Sequence, residues 1–258
     1  MIDVHAHLCF PSLLADQEQI IAQAKQKIHG VIVSSANWSE SQNVLSLVPK
    51  HPGFLFASIG FHPIDADRAG EPADALELTR DLLREHEKEI VAIGEVGLDF
   101  HWNHEEVEHE VQKATLRSFV ALAEELQKPL ILHSWDAERE CFNLVKSADV
   151  PAVIFHCYTG PPELAEEIVK AGFLVSISTN VLFSKKLRKI AKAIPLESLV
   201  LETDSPFLDP ERERKRNTPE NILLSAQKIA EIRGCSAGDV LEAAEHNAVK
   251  ALKLKLKS

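Results

Sequence analysis

Six side chains that commonly bind metals recur directly after short apolar segments of this chain. They are His5, His7, Glu95, His133, His156 and Asp204. Imidazole nitrogens and carboxylate oxygens are suitable ligands for zinc, manganese or iron. A titratable side chain at the end of a buried strand is costly unless it is paired or bound to metal. Six such side chains in this position therefore predict a metal site.

His5 and His7 carry additional information because they are two residues apart in an apolar opening segment. On an extended strand, alternate residues point to the same side, so both imidazoles can reach one ion. His5 taken alone is equally compatible with a hydrogen-bonded core histidine. The interpretation of His5 as a ligand depends on the whole set of six.

The elements that must position these side chains are eight short apolar segments separated by longer helical patterns. The predicted strands are Ile2–Val4, Val31–Val33, Leu55–Ile59, Ile90–Ile93, Leu130–Leu132, Ala152–Phe155, Phe173–Ile177 and Leu199–Leu201. Near-continuous apolar runs are typical of strands covered on both faces. Alternation of strands and helices favours a parallel sheet with crossover helices.

Four helices can be predicted from periodicity and from their flanking prolines and glycines. Apolar residues at near-helical spacing run from Val107 through Val111, Ala114, Phe119 and Ala123 to Leu126, ahead of Pro129. The other three helices are predicted over Pro161–Ala171, Pro219–Arg233 and Ser236–Leu252. The alternating segment Lys253–Lys257 is predicted to be a helix end or a frayed tail.

The expected fold is α/β, a single distorted (β/α)8 TIM-type barrel over residues 1–258 with extra C-terminal helices. The length of 258 residues fits the roughly 250 residues typical of such barrels. An open doubly wound sheet is the alternative. In a barrel, the carboxyl ends of all strands converge on one mouth, where active sites form. All six predicted ligands would then meet at that mouth.

The composition excludes several classes of function. The formal net charge is −11, whereas proteins that grip DNA through their overall field are usually basic. A polyanionic substrate must therefore be attracted locally. No glycine-rich phosphate loop follows an early strand, so we expect no nucleotide cofactor. We recognise no signal peptide and no apolar stretch long enough to span a membrane. The four cysteines are widely spaced, which is typical of reduced thiols. We therefore expect a cytoplasmic protein without membrane contact.

Several segments, taken together and in order, resemble the TatD family of metal-dependent hydrolases within the amidohydrolase superfamily. They are Asp3–His7, Ile59–Pro63, Gly94–Asp99, His133–Ala137, Phe155–Gly160, Glu202–Leu208 and Arg216–Pro219. The resemblance runs nearly end to end and implies a distorted (β/α)8 barrel with two divalent metal ions, whether Zn, Mn or Mg. It also implies a ligand assignment. His5, His7 and Asp204 would hold one ion, His133 and His156 the other, and Glu95 would bridge both.

The activity implied by the resemblance is a phosphodiesterase, a deoxyribonuclease of the 3′–5′ exonuclease type acting on single-stranded DNA ends. Two ions about 3.5–4 Å apart can share a water and lower its pKa, and the resulting hydroxide attacks the substrate. Glu95 and Asp204 are the predicted catalytic residues, with Asp204 taking the proton. An alternative is a metal-dependent ester or amide hydrolase, for example of an aminoacyl-tRNA ester or a lactone. A non-catalytic scaffold is disfavoured by the complete ligand set.

Three residues are predicted to bind substrate. His62 follows the third strand and either donates to a phosphate or packs within its loop. Arg216 belongs to a basic run with Arg212, Arg214 and Lys215, which either guides a phosphate backbone or is a solvated loop. Trp135 stands where the family usually has arginine, and it either stacks on a base or packs against the protein.

Overall fold

Eight parallel strands form one sheet whose spatial order follows the chain, from β1 to β8. The structure is a computed structural model, and it describes residues 1–64, 71–213 and 216–256. The strands are β1 (Ile2–Ala6), β2 (Gly30–Ser34), β3 (Leu55–Ile59), β4 (Ile90–Asp99), β5 (Leu130–Trp135), β6 (Val153–Phe155), β7 (Leu174–Ile177) and β8 (Leu199–Leu201). All eight predicted strands are confirmed.

The sheet curls until its first and last strands approach one another. A parallel bridge pairs Ala6 with Ser205, just beyond β8, and the amide of Asp204 donates to the carbonyl of His5. The result is a nearly closed barrel, which confirms the expected TIM-type architecture over the open doubly wound sheet.

Nine helices surround the barrel in the ranges that the structure describes. They are α1 (Gln17–Lys25), α2 (Trp38–Leu47), α3 (Ala75–Glu85), α4 (Glu106–Leu126), α5 (Glu138–Val145), α6 (Pro162–Lys170), α7 (Lys185–Ala193), α8 (Ile222–Arg233) and α9 (Ala237–Leu252). The fold has α9 in addition to one helix per strand. None of the helices in these ranges is long and apolar enough to cross a bilayer.

Three strands continue past polar side chains that the sequence places after them. Glu95 lies inside β4 and His133 lies inside β5, because backbone pairing continues from Gly97 opposite His133 to Asp99 opposite Trp135. Apolar composition marks only the apolar part of a strand, whereas hydrogen bonding between neighbouring backbones sets where it ends, and the polar continuation of β4 is buried as well. His5 likewise lies within β1.

The apolar residues at helical spacing in α4 do not all form its buried face. Val107, Val111 and Ala114 are exposed, and the buried apolar face consists of Leu116, Phe119 and residues that follow them. The spacing identifies a helix correctly, but the point at which the helix meets the barrel decides which of its turns are covered.

The barrel interior is filled at its amino-terminal end by the last residues of the described chain. One apolar cluster joins inward-facing side chains such as Val4 and Ile32 to Ala248, Leu252 and Leu254. A second, larger cluster fills the space between the sheet and the surrounding helices. The prediction of a frayed tail is therefore wrong for Leu254, which is buried beneath the barrel. Lys257 lies outside the described residues.

A candidate metal centre at the mouth of the barrel

The six predicted ligands lie together at the carboxyl ends of the strands. Three overlapping groups have donor atoms within 4.8 Å of one another: His5 with His156 and Asp204, His5 with His7 and Glu95, and His62 with Glu95 and His133. His62 was expected from the sequence to bind substrate, and its place in the third group was not foreseen.

Glu95 is the centre of this cluster, and its two carboxylate oxygens face different histidines. Oε2 lies 3.2 Å from Nε2 of His5 and 3.3 Å from Nε2 of His7. Oε1 lies 2.7 Å from Nδ1 of His133 and 3.1 Å from Nε2 of His156. A carboxylate in this position can serve two neighbouring cation positions at once.

Asp204 closes the side of the cluster next to His5 and His7. Its Oδ1 lies 3.7 Å from Nε2 of His5 and 3.6 Å from Nε2 of His7. Its backbone has a φ of 57°, in the left-handed region that aspartate and asparagine tolerate better than most residues. The hydrogen bond from the backbone amide of Asp204 to the carbonyl of His5 holds this conformation where the first and last strands meet.

In three of the histidine rings, the nitrogen that points away from Glu95 makes a hydrogen bond to a neighbouring side chain. Nε2 of His133 donates to Oδ2 of Asp99 at 3.0 Å, and Nδ1 of His156 donates to Oε2 of Glu202 at 3.1 Å. The hydroxyl of Ser34 lies 3.1 Å from Nδ1 of His5. In each ring the other nitrogen faces Glu95, as expected for histidines whose tautomer is set for metal binding.

These three supporting residues were not predicted from the sequence. Asp99 and Glu202 stand in segments that carry the family resemblance, and a carboxylate near a predicted ligand is a usable signal. Ser34 offers no such signal, because a serine at the end of a strand is common and its partner is far away in the sequence.

Burial and mutual charge shift the pKa values of the cluster in opposite directions. Burial lowers the pKa of His5 to about 3, with the charge of His156 acting in the same sense. Burial would also lower the pKa of His7, but the hydrogen bond and charge of Glu95 and the charge of Asp204 raise it to about 9. Burial raises the pKa of Asp204 to about 7.

The pKa of Glu95 moves the other way. Burial alone would raise it, but the neighbouring charges of His62, His156 and His5 and the hydrogen bond of His133 hold it well below its usual range. Glu95 is therefore an ionised carboxylate among imidazoles. A buried set of nitrogen and oxygen donors around one carboxylate has the chemistry that zinc and manganese prefer, so the residues present fit a divalent metal centre.

Two glycines allow the strands to approach closely around Glu95. A Cβ on Gly60 would lie 2.4 Å from the carbonyl oxygen of Glu95, and a Cβ on Gly97 would lie 1.9 Å from that of His133. Neither approach is possible for a residue with a side chain. The glycines thus fix the position of the central carboxylate and of one histidine.

A cavity of about 710 Å³ opens above the cluster. Five of the six predicted ligands line it, together with His62 and Trp135. The sixth ligand, His5, is fully buried beneath them. Nε2 of His62 lies 3.4 Å from Oε1 of Glu95 and 3.2 Å from Nδ1 of His133, so the ring belongs to the wall of the cluster.

The predicted basic run is only partly described. Arg216 forms an ion pair with Asp16, with Nη1 2.7 Å from Oδ1, and also bonds to the carbonyl of Ser12. The guanidinium of Arg212 lies over the ring of Phe183. Neither Arg212 nor Arg216 is among the described residues that line the cavity. Arg214 and Lys215 lie outside the described residues.

Comparisons with known proteins agree with this arrangement. The sequence model of the family described as "TatD related DNase" matches residues 2–253. The chain is 33% identical to a protein of Methanocaldococcus jannaschii named "Uncharacterized metal-dependent hydrolase MJ1582", covering 99% of this chain and 98% of the relative. It is 30% identical to a protein of Erwinia tasmaniensis named "3'-5' ssDNA/RNA exonuclease TatD", covering 98% of this chain and 100% of the relative.

The fold is similar to that of a solved structure. The crystal structure of YJJV, a TatD homologue from Escherichia coli, superimposes with a TM-score of 0.89 at 26% identity, covering 99% of this chain and 98% of that one. The family match extends over nearly the whole chain, and the candidate metal-binding groups lie within it. This chain therefore belongs to the TatD family of metal-dependent hydrolases.

Proposed function

We propose that this protein is a metal-dependent deoxyribonuclease that removes nucleotides from the 3′ end of single-stranded DNA. The observation that carries the proposal is the position of Glu95, whose two oxygens face separate pairs of histidines beneath an open cavity. The name of the matched family and the exonuclease activity in the name of the Erwinia relative support a phosphodiester substrate.

The proposed site would hold two divalent ions of Zn, Mn or Mg. His5, His7 and Asp204, whose donor atoms lie close together, would hold one ion, and His133 and His156, which both face Oε1 of Glu95, would hold the other. Glu95 would contribute to both. When bound, such a pair of cations lowers the pKa of a shared water and offsets the charge that develops on the phosphate oxygens.

Asp204 is the proposed proton acceptor. Its carboxylate lies at the edge of the cluster, and burial raises its pKa to about 7. A general base must lie within reach of the proton that it removes, so this carboxylate, which faces His5 and His7 at the edge of the cluster, is suited to take a proton from the attacking water and return it to the leaving group. Glu95 keeps its charge in the same surroundings and serves as a ligand.

His62 is the proposed contact to the substrate phosphate. Its ring lines the cavity next to Glu95 and His133 and is almost completely buried. A hydrogen bond from His62 to a phosphate oxygen would position the substrate above the cluster. The role of Arg216 in substrate binding stays a prediction, because its guanidinium is bound to Asp16 in this structure.

A chelator-controlled exonuclease assay tests the proposal. Single-stranded DNA carrying a 5′ label is incubated with purified protein after EDTA treatment and after addition of Zn, Mn or Mg. We expect progressive shortening from the 3′ end that needs metal and disappears in the Glu95→Gln variant. The control variant is Glu138→Gln, which alters a buried carboxylate that does not line the cavity.

Two results would contradict the proposal. The first is a lack of nucleotide release with every divalent metal. The second is hydrolysis of small carboxylic esters or lactones at a higher kcat/KM than that of phosphodiesters, which would favour an ester hydrolase that uses the same centre.

A further inference from the structure

Two indole rings stand exposed at the wall of the cavity. Trp102 is 61% exposed and Trp135 is 40% exposed, and both line the cavity that contains the candidate metal ligands. Large apolar rings are costly to leave in water unless a partner covers them. Trp135 packs against the protein over part of its surface, and the rest of the ring is accessible at the wall of the cavity.

The rings are held in a fixed arrangement although they are not buried. The imidazole of His101 stacks on Trp135 with a centroid distance of 4.1 Å and an interplanar angle of 5°. Nδ1 of His101 lies 2.9 Å from Oδ2 of Asp136. Trp102 stands almost perpendicular to Trp135, at an interplanar angle of 82° and a centroid distance of 6.1 Å. His101 thus supports one face of Trp135 and orders the pair.

One carboxylate joins this aromatic pair to the metal cluster. Oδ1 of Asp99 accepts from the amides of His101 at 3.0 Å and Trp102 at 2.9 Å. Oδ2 of the same side chain accepts from Nε2 of His133 at 3.0 Å. The position of Trp102 relative to the cluster is therefore fixed through a single residue, and a group stacked on the indoles lies beside the candidate centre.

We propose that Trp102 and Trp135 form a platform for an unpaired nucleobase next to the scissile phosphate, which stacks on one indole and meets the other edge-on. The inference rests on the proposed function and names the part of the substrate that the protein recognises. A net charge of −11 gives the molecule little general attraction for a phosphate backbone. Base–aromatic stacking supplies affinity without a basic surface, tolerates any sequence, and requires a base that is free of its complementary strand.

Binding to a matched pair of oligonucleotides tests the platform separately from catalysis. Both are short labelled single strands with phosphorothioate linkages, so that the metal-loaded protein consumes them slowly. The second has tetrahydrofuran abasic units at its two 3′-terminal positions and hence the same backbone charge. We expect the base-containing strand to bind between about 5-fold and 160-fold more tightly, the range that typical stacking energies give for one base.

Substitutions test whether the preference for the base-containing strand depends on the two indole rings. Trp102→Ala and Trp135→Ala are expected to weaken binding of the base-containing strand toward that of the abasic strand and to leave the abasic strand unchanged. Trp102→Phe keeps an aromatic ring and should retain most of the preference. Leu224→Ala, which truncates an exposed apolar side chain on α8 away from the cavity, should change neither affinity.

The outcomes separate this inference from the proposed function. Equal binding of the two strands by the unaltered protein, or equal loss on both strands in the tryptophan variants, overturns the platform. A base preference that depends on the indoles, together with no metal-dependent hydrolysis of unmodified DNA, leaves the platform supported and the nuclease proposal contradicted. Metal-dependent hydrolysis without a base preference supports the nuclease proposal and overturns the platform.

Discussion

Asp204 has a buried carboxylate next to His5 and His7 and a backbone φ of 57°. Asparagine tolerates the same backbone conformation, so Asp204→Asn removes the proposed proton acceptor and keeps the local fold. We predict that kcat on single-stranded DNA falls by about 100-fold to 10,000-fold, the usual contribution of general acid–base catalysis. Metal content, measured by elemental analysis after dialysis, should fall by a much smaller fraction. Full turnover in this variant would contradict the assignment.

The site residues that could be predicted from the sequence differ in a physical way from those that could not. Residue type and position after a strand were enough to select six side chains that the structure brings together. Ser34, Asp99 and Glu202 act on those side chains through hydrogen bonds. Such bonds depend on rotamers and on strand register, which a pattern of apolar and polar residues does not encode.

Strand register depends most visibly on Gly97, where β4 passes against β5. A Cβ at this position would lie 1.9 Å from the carbonyl oxygen of His133, a contact with backbone that cannot move aside cheaply. We predict that Gly97→Ala destabilises the fold by at least the 1–3 kcal/mol typical of overpacking, and that it reduces metal content by displacing His133. Thermal unfolding and elemental analysis measure the two effects.

Gly238 is the matched control for this substitution. It lies in α9, and a Cβ there would meet only the hydroxyl of Ser236 at an ordinary distance of 3.4 Å. Alanine is the better helix former, so Gly238→Ala should leave stability unchanged or raise it by up to about 1 kcal/mol. A Gly97→Ala variant as stable as Gly238→Ala would show that β4 and β5 can separate freely.

The element after α9 shows where local pattern fails. A short alternation of lysine and leucine is equally compatible with a fraying tail, because its partner is the open end of a barrel formed by distant segments. Leu254 is 7% exposed within the cluster that fills that end, whereas Lys255 is exposed.

We therefore predict that Leu254→Ala lowers the free energy of unfolding by about 2 kcal/mol, near the low end for a buried leucine because the cavity formed is close to solvent. Lys255→Ala should have almost no effect. Urea denaturation measures both. Equal stability of the two variants would contradict the burial of the tail.

At the scale of the whole molecule, alternation and length were sufficient to predict the barrel. Eight strands in sequential order need only short right-handed crossovers, and this is the simplest arrangement for alternating strands and helices. The closure through Ala6 and Ser205 was not predictable from pattern, since it depends on the curvature of the complete sheet. Closure is what brings Asp204 to His5 and so completes the cluster.

Metal binding should stabilise this closed state, because the cluster holds charged and polar groups that are buried together only in the folded chain. A ligand present at about 100 times its Kd adds about 2.7 kcal/mol to folding. For a chain of this size, that energy raises Tm by about 5–11 °C. We predict such a shift when Zn or Mn is added to the EDTA-treated protein in a thermal unfolding experiment.

Two variants test whether the metal-dependent shift in Tm arises at the candidate metal centre. Glu95→Gln removes the charge shared by both halves of the cluster and should abolish most of the metal-dependent change in Tm. Leu254→Ala acts at the opposite end of the barrel, so it should lower Tm with and without metal and leave the difference between them unchanged, as expected for independent sites. If Glu95→Gln kept the full shift, the stabilising ion would have to bind elsewhere.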